Sequence, residues 1–298
     1  MEDFSRNKNE GKHKMKGIAP LAILVIVGLL AVEGVILTDL LGKTDNIVRA
    51  ARETEIIRLI NEMEFAKRYL SQALSYAYYQ AAYELAKNGG YTDLGTANSH
   101  NCIAYWREYD TASVPNYEDN FRELFVLYFN KYGTALKSEV KVPVYDDAKF
   151  DMDTDSISVS ANNELRVDTD AVRVRDASEF TQKVDPNPFL LFDIGREIFD
   201  EISPVTSSAN YGEASGKMQF IENKYASLYG EKGFDITISS ENAGSSNDNY
   251  ALRALVSIET RNKYSYSNTQ KTLGENTIML EYYVIFGTEN IAHSEQCI

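Results

Sequence analysis

Hydrophobic and polar positions alternate in three different ways along this chain. Residues 18–37, "IAPLAILVIVGLLAVEGVIL", are apolar almost throughout, with Glu33 as the one charge. About twenty apolar residues at 1.5 Å rise match the ~30 Å hydrocarbon core of a bilayer. From residue 47 the pattern becomes one-sided. Ile56, Ile60, Met63, Leu70, Leu74, Ala77, Ala81 and Glu84/Leu85 recur at the 4,3 spacing of a helix face, broken mainly by Lys67. Small residues (Ala66, Ala73, Ala77, Ala81, Ala82, Ala86) suit close packing, and "NGG" at 88–90 stops the helix. No proline lies between 21 and 114, so residues 18–88 read either as one helix of roughly 105 Å, with a hinge at Gly42, or as two consecutive helices.

Beyond this point the elements shorten. Residues 91–114 read as loop with one aromatic segment, "CIAYWREY". "PNYEDNFRELFVLYFNKYGTAL" reads as a helix capped by Asn116 and stopped by Gly133. "VKVPVY" has a period of two, and its Pro143 suggests an edge strand. "MDTDSISV" (152–159) and "VDTDAVRV" (167–174) repeat at a spacing of fifteen and predict two successive turns of an antiparallel meander over 147–184. Two short helices follow, in "PNPFLLFDIGREIFDEIS" and "KMQFIENKYASLYGEKG". Three strands, "FDITISSEN", "YALRALVSIETRNKYSYS" and "NTIMLEYYVIFGT", close the chain. The expectation is an α+β protein: a long N-terminal hydrophobic and amphipathic helix, then an α+β head with an antiparallel sheet. Its organisation reads as a basic leader (1–17), an apolar helix (18–41), an amphipathic helix (43–90) and a head (91–298).

Charge divides the 298 residues further. Residues 1–17 carry five Lys/Arg against three acids, a net +2 of the total −14, which leaves −16 for the rest. An acidic body argues against binding nucleic acid, which needs a basic face. The positive-inside bias places Lys12, Lys14 and Lys16 in the cytoplasm and the body outside, in a single-pass arrangement. A signal peptide cleaved behind the apolar run is disfavoured, because the run is long and Ala31-Val32-Glu33-Gly34 is a poor site. Glu33 reads either as a contact between packed helices or as a residue near the outer interface.

"KMKGIAPL" resembles the class III signal peptides of archaeal type IV pilin-like proteins, a likeness confined to about residues 12–40. The resemblance implies cleavage by a prepilin-type peptidase after Gly17, with Lys16 and Gly17 recognised and Ile18 the new N-terminus. Pro20 then falls in the first helical turn, where a missing N–H costs nothing. It further implies a structural or adhesive subunit, self-associating through the hydrophobic helix in the membrane or in a surface filament. One departure is Ala22, where bacterial pilins usually carry Glu at the fifth mature position. The alternative is an uncut, signal-anchored extracellular domain that binds a ligand or partner protein.

Candidate chemistry is sparse. Asp151, Asp153 and Asp155 have the D-x-D-x-D spacing of a calcium loop, but Ser156 and Asn162 stand where that loop needs Gly and Glu. His100 and His293 flank Cys102 and Cys297, the two cysteines of the chain, and the four residues could make a Cys₂His₂ zinc site if they converged. In an outward-facing domain a Cys102–Cys297 disulfide is the simpler reading. The tyrosines of "SYAYYQAAY" read as packing groups. No nucleotide-binding, hydrolase or zinc-protease motif appears. No enzymatic activity and no cofactor are expected.

Overall fold

Helix α1 (Ile18–Lys87) runs without a break through Gly42, so the one-helix reading describes it. The computed structural model describes residues 18–145, 149–152, 156–170, 172–183, 187–267 and 273–289, with side chains along α1 described from Leu29. The molecule divides into two compact units. One holds α1 as far as Ile60 together with Thr169–Val172; the other holds Asn61–Asp168 and the chain from Arg173.

In the first unit α1 is clad in exposed apolar side chains, and several of its polar side chains bond within the helix. The Thr38, Thr44 and Thr54 hydroxyls each donate to the carbonyl four residues earlier, and Lys43 pairs with Asp39 at 2.8 Å. Ile56 and Ile60, expected on the apolar face, are exposed. Among residues with described side chains, no helix is long and apolar enough to cross a membrane. The expected span, 18–37, has residues 18–28 outside that set.

In the second unit the rest of α1 buries the expected stripe, from Met63 through Leu70, Leu74, Ala77 and Ala81 to Leu85. The helix ends at "NGG" as the sequence predicts. Gly89 and Gly90 take positive φ (64° and 92°), and the Gly90 N–H returns to the Leu85 carbonyl at 2.8 Å. A Cβ at Gly89 would lie 2.8 Å from that of Ala104, so the turn also lets the helix end approach the sheet.

After α1 come β1 (Ser99–His100), β2 (Ile103–Glu108), β3 (Thr111–Ala112) and α2 (Tyr117–Ala135). Asn116 caps α2 as expected, and the helix runs two residues past Gly133. Next are β4 (Lys149–Met152), β5 (Ser156–Ser160), β6 (Leu165–Asp168), β7 (Arg173–Asp176) and β8 (Glu179–Lys183). Then follow α3 (Leu190–Ile202), α4 (Tyr211–Gly230), β9 (Phe234–Asn242), β10 (Ala251–Thr260), β11 (Tyr264–Ser267), β12 (Leu273–Asn276) and β13 (Met279–Gly287).

The main sheet has the order β1-β2-β13-β10-β9, with β3 beside β2. It corrects the expected antiparallel sheet: β2 and β13 run parallel, so the sheet is mixed. The same pairing overturns the reading of 91–114 as loop. "IAYWRE" is an interior strand whose Ala104, Tyr105 and Trp106 are buried. Its partner lies more than 170 residues away, beyond the reach of any local pattern. The meander is also revised. β5 pairs with β8 rather than β6, and β6–β7 form a hairpin of their own between them. "VKVPVY" contributes only an isolated bridge, Lys141 to Arg166, because Pro143 has no N–H with which to continue a ladder. α4 starts at Tyr211, earlier than expected. There the Asn210 side chain caps the Glu213 N–H at 3.0 Å, and Glu213 reaches back to the Ala209 N–H.

Helices α3 and α4 cover the inner face of the main sheet. α3 approaches closely because of Gly195, where a Cβ would lie 3.0 Å from Leu280 and 3.2 Å from Trp106. An aromatic ladder, Phe121–Phe125–Phe129, runs along α2 and meets Tyr145 and Phe180, tying the small three-stranded sheet to the helices.

Candidate functional site

The outer face of the main sheet is where polar chemistry gathers. Strand alternation turns Leu252, Ala254, Val256 and Ile258 of β10 inward, and Arg253, Leu255, Ser257 and Glu259 outward. Register then sets Arg253 opposite Glu241 of β9 on one side and Ile285 of β13 on the other. Leu255 lies between Ser239 and Tyr283. The β1–β2 hairpin closes one end. Its two-residue turn, Asn101-Cys102, has φ of 49° and 62°, the primed geometry that follows strand twist, and it brings His100 over the sheet.

Of these, His100, Asn101, Ser239, Glu241, Arg253, Leu255 and Tyr283 line an open cleft of about 410 Å³. Arg253 lies at its centre. Its Nη1 donates to Glu241 Oε1 at 3.0 Å and to His100 Nε2 at 3.2 Å, which makes that ring nitrogen an acceptor. Asn101 Nδ2 is 3.2 Å from the same nitrogen. The His100 ring meets Tyr283 edge-on at 5.6 Å, and Tyr283 lies 5.6 Å from Tyr105. Burial raises the Tyr283 and Tyr105 hydroxyl pKa values, opposed in each by Arg253. The Arg253 side chain is 15% exposed and that of Glu241 63%. Arg253 Nε and Gln80 Oε1 are the two buried side-chain polar atoms among the described residues without a hydrogen-bond partner. The cleft therefore offers an anchored donor, an exposed acceptor and an aromatic face side by side.

Of the residues singled out in the sequence, His100 enters this cleft. Cys102, at the hairpin tip, is disulfide-bonded and has no thiolate to offer a metal. Cys297 and His293 lie outside the described residues, as do Asp153, Asp155, Lys16 and Gly17. Asp151 belongs to β4, in register with Ser158. The second Asp-Thr-Asp turn uses Asp168 as an ion-pair hub for Arg166, Arg173 and Lys141. Among the described residues no group of three potential metal ligands converges. Ile18 opens α1, Pro20 lies in its first turn, and Glu33 is exposed. The tyrosines of α1 pack: Tyr78 is buried against Phe121, and Tyr79 lies against Tyr264. Sequence reasoning missed Arg253, Glu241 and Tyr283. Each is an ordinary outward position of an alternating strand, and only the registers bring them together.

A second feature is the helix of the first unit. Leu29, Leu30, Val32, Val35, Ile36, Leu37, Leu40 and Leu41 are each more than half exposed.

Comparison with known proteins finds no matching family model, no matching characterised relative and no matching solved structure.

Proposed function

We propose that this is a pilin-like subunit of a cell surface, held in the membrane or in a filament by its N-terminal helix, with the acidic α+β head outside. The observation that carries the reading is the bare apolar cladding of α1 from Leu29 to Leu41. Such a surface is unfavourable in water and calls for lipid or for other apolar helices. Copies of the same helix supply the second, and heterologous contacts that do not close make a filament. The basic leader ending in Lys16-Gly17 and the proline at position 20 add the processing signal.

The test is the N-terminus of the protein taken from membranes, by intact mass and terminal peptide. A chain beginning at Ile18 supports prepilin-type processing and assembly. A chain beginning at Met1 favours an uncut signal anchor whose head binds a ligand or partner. A start beyond Leu37 overturns both.

A further inference from the structure

We propose that the cleft around Arg253 is a saccharide-binding site, taking a neutral hexose unit through Glu241, Arg253, Asn101 and Ser239 with Tyr283 as the stacking face. This inference stands on the head alone and does not depend on how the N-terminal helix is used.

Three observations select the ligand class. First, the charge of the lining cancels. Arg253 holds the carboxylate of Glu241 at 3.0 Å, and the whole chain carries −14, so an anion meets both a competing carboxylate and an opposing field. Second, the polar groups come as donor beside acceptor. Glu241 accepts, the Arg253 guanidinium donates, and Asn101 and Ser239 do both. Neighbouring ring hydroxyls each give and take a hydrogen bond, so a sugar satisfies this row where a purely accepting or purely apolar ligand leaves half of it unpaired. Third, the Tyr283 ring, partly buried in the lining beside His100 and Tyr105 at 5.6 Å each, supplies an aromatic surface for the C–H face of a pyranose.

The site is also held in place. Its floor is the β9–β10–β13 ladder, and its rim is the disulfide-bonded β1–β2 hairpin. His100 and Glu241 both take hydrogen bonds from Arg253 Nη1, which holds that end of the guanidinium in place. At about 410 Å³ the volume lies near the small end of the ~300–1,000 Å³ range of ligand pockets, fitting a short saccharide rather than a long stretch of polymer.

The experiment is saturation-transfer NMR on the full chain, in micelles of a detergent without a sugar headgroup. The probes are methyl α-glucoside, methyl β-galactoside, methyl α-mannoside and sodium acetate. The expected result is transfer to the ring protons of at least one hexoside. Glu241→Gln should weaken that binding by roughly tenfold, the worth of one charge-assisted hydrogen bond. Tyr283→Ala should abolish it. Glu241 is exposed, so Glu241→Gln should melt like the parent and read binding without a folding defect. Transfer to acetate alone, transfer to none of the hexosides, or hexoside binding unchanged in Glu241→Gln would each overturn the proposal.

Discussion

Trp106 and Tyr282 stack face to face, with ring centroids 3.9 Å apart and planes 7° from parallel, across the one parallel pairing of the main sheet. Both rings are fully buried, and each is tied to a different helix. Trp106 Nε1 donates to the Gly89 carbonyl at the end of α1 at 2.7 Å, and the Tyr282 hydroxyl donates to the Gly195 carbonyl of α3 at 2.8 Å. This pair therefore links sheet, α1 and α3 at one point.

Trp106→Ala should cost about 3–5 kcal/mol, because it removes a large buried ring and leaves the Gly89 carbonyl unpaired. Tyr282→Phe, which deletes only the hydroxyl, should cost about 1 kcal/mol. Urea unfolding followed by circular dichroism separates the two. Equal losses would mean that the stack contributes little.

Gly195→Leu tests the closeness of α3. A Cβ alone would lie 3.0 Å from Leu280 Cδ2, so a larger side chain must push helix and sheet apart, at about 1–3 kcal/mol or more. A lower melting temperature is expected. An unchanged one would show that α3 can slide away freely.

Lys67 interrupts the apolar face of α1, and its partner is Asp176 at the end of β7, 2.8 Å away. The hydrogen bond from Lys67 holds the Asp176 carboxyl below its ordinary value of 3.8, and the Lys67 ammonium is correspondingly raised from 10.5. The carboxylate contribution is thus fully present above the ordinary value and lost as pH falls through the lower folded value. The lysine contribution is present below 10.5 and lost as pH rises through the higher folded value. Both side chains are about a third exposed, so solvent screening limits the pair to under ~1 kcal/mol. Urea midpoints of Asp176→Asn and its parent should differ at neutral pH and converge in acid.

Cys102 is disulfide-bonded, and Cys297 is the one other cysteine in the chain. Cys102→Ser and Cys297→Ser should therefore lose the same stability, about 5 kcal/mol in the loop-entropy model. The double variant should lose no more, and a chelator should have no effect. Unequal losses, or sensitivity to chelation, would refute an intramolecular staple.

Ile36→Asp with Leu40→Asp tests the exposed helix. A carboxylate among membrane-embedded apolar residues costs roughly 2.5–3.5 kcal/mol. On the proposed anchoring role, the variant should leave the membrane fraction or fail to assemble while its head melts as in the parent. Retention in the membrane would argue that the anchoring contacts lie elsewhere.

The helical character of 18–88, its "NGG" stop, the Asn116 cap and the alternating strands of the C-terminal third were all legible from the sequence, whereas the continuity of the helix through Gly42 was not. Each is written in local spacing: periods of 3.6 and 2, side chains that cap backbone N–H groups, and glycines where φ must be positive. The α+β class follows from those elements alone. Tertiary structure decided what no local pattern carries. Residues 103–108 became an interior strand because β13, far along the chain, offers a parallel edge and a tyrosine for Trp106 to stack on. Lys67 is accommodated on an apolar face because Asp176 arrives beside it. The cleft exists because the registers of β9, β10 and β13 place Glu241, Arg253 and Tyr283 on one surface and a hairpin lays His100 across them. Periodicity assigns a residue to a face of its own strand. Which strand lies alongside, and in what register, is set by the burial gained when the whole sheet closes over its helices.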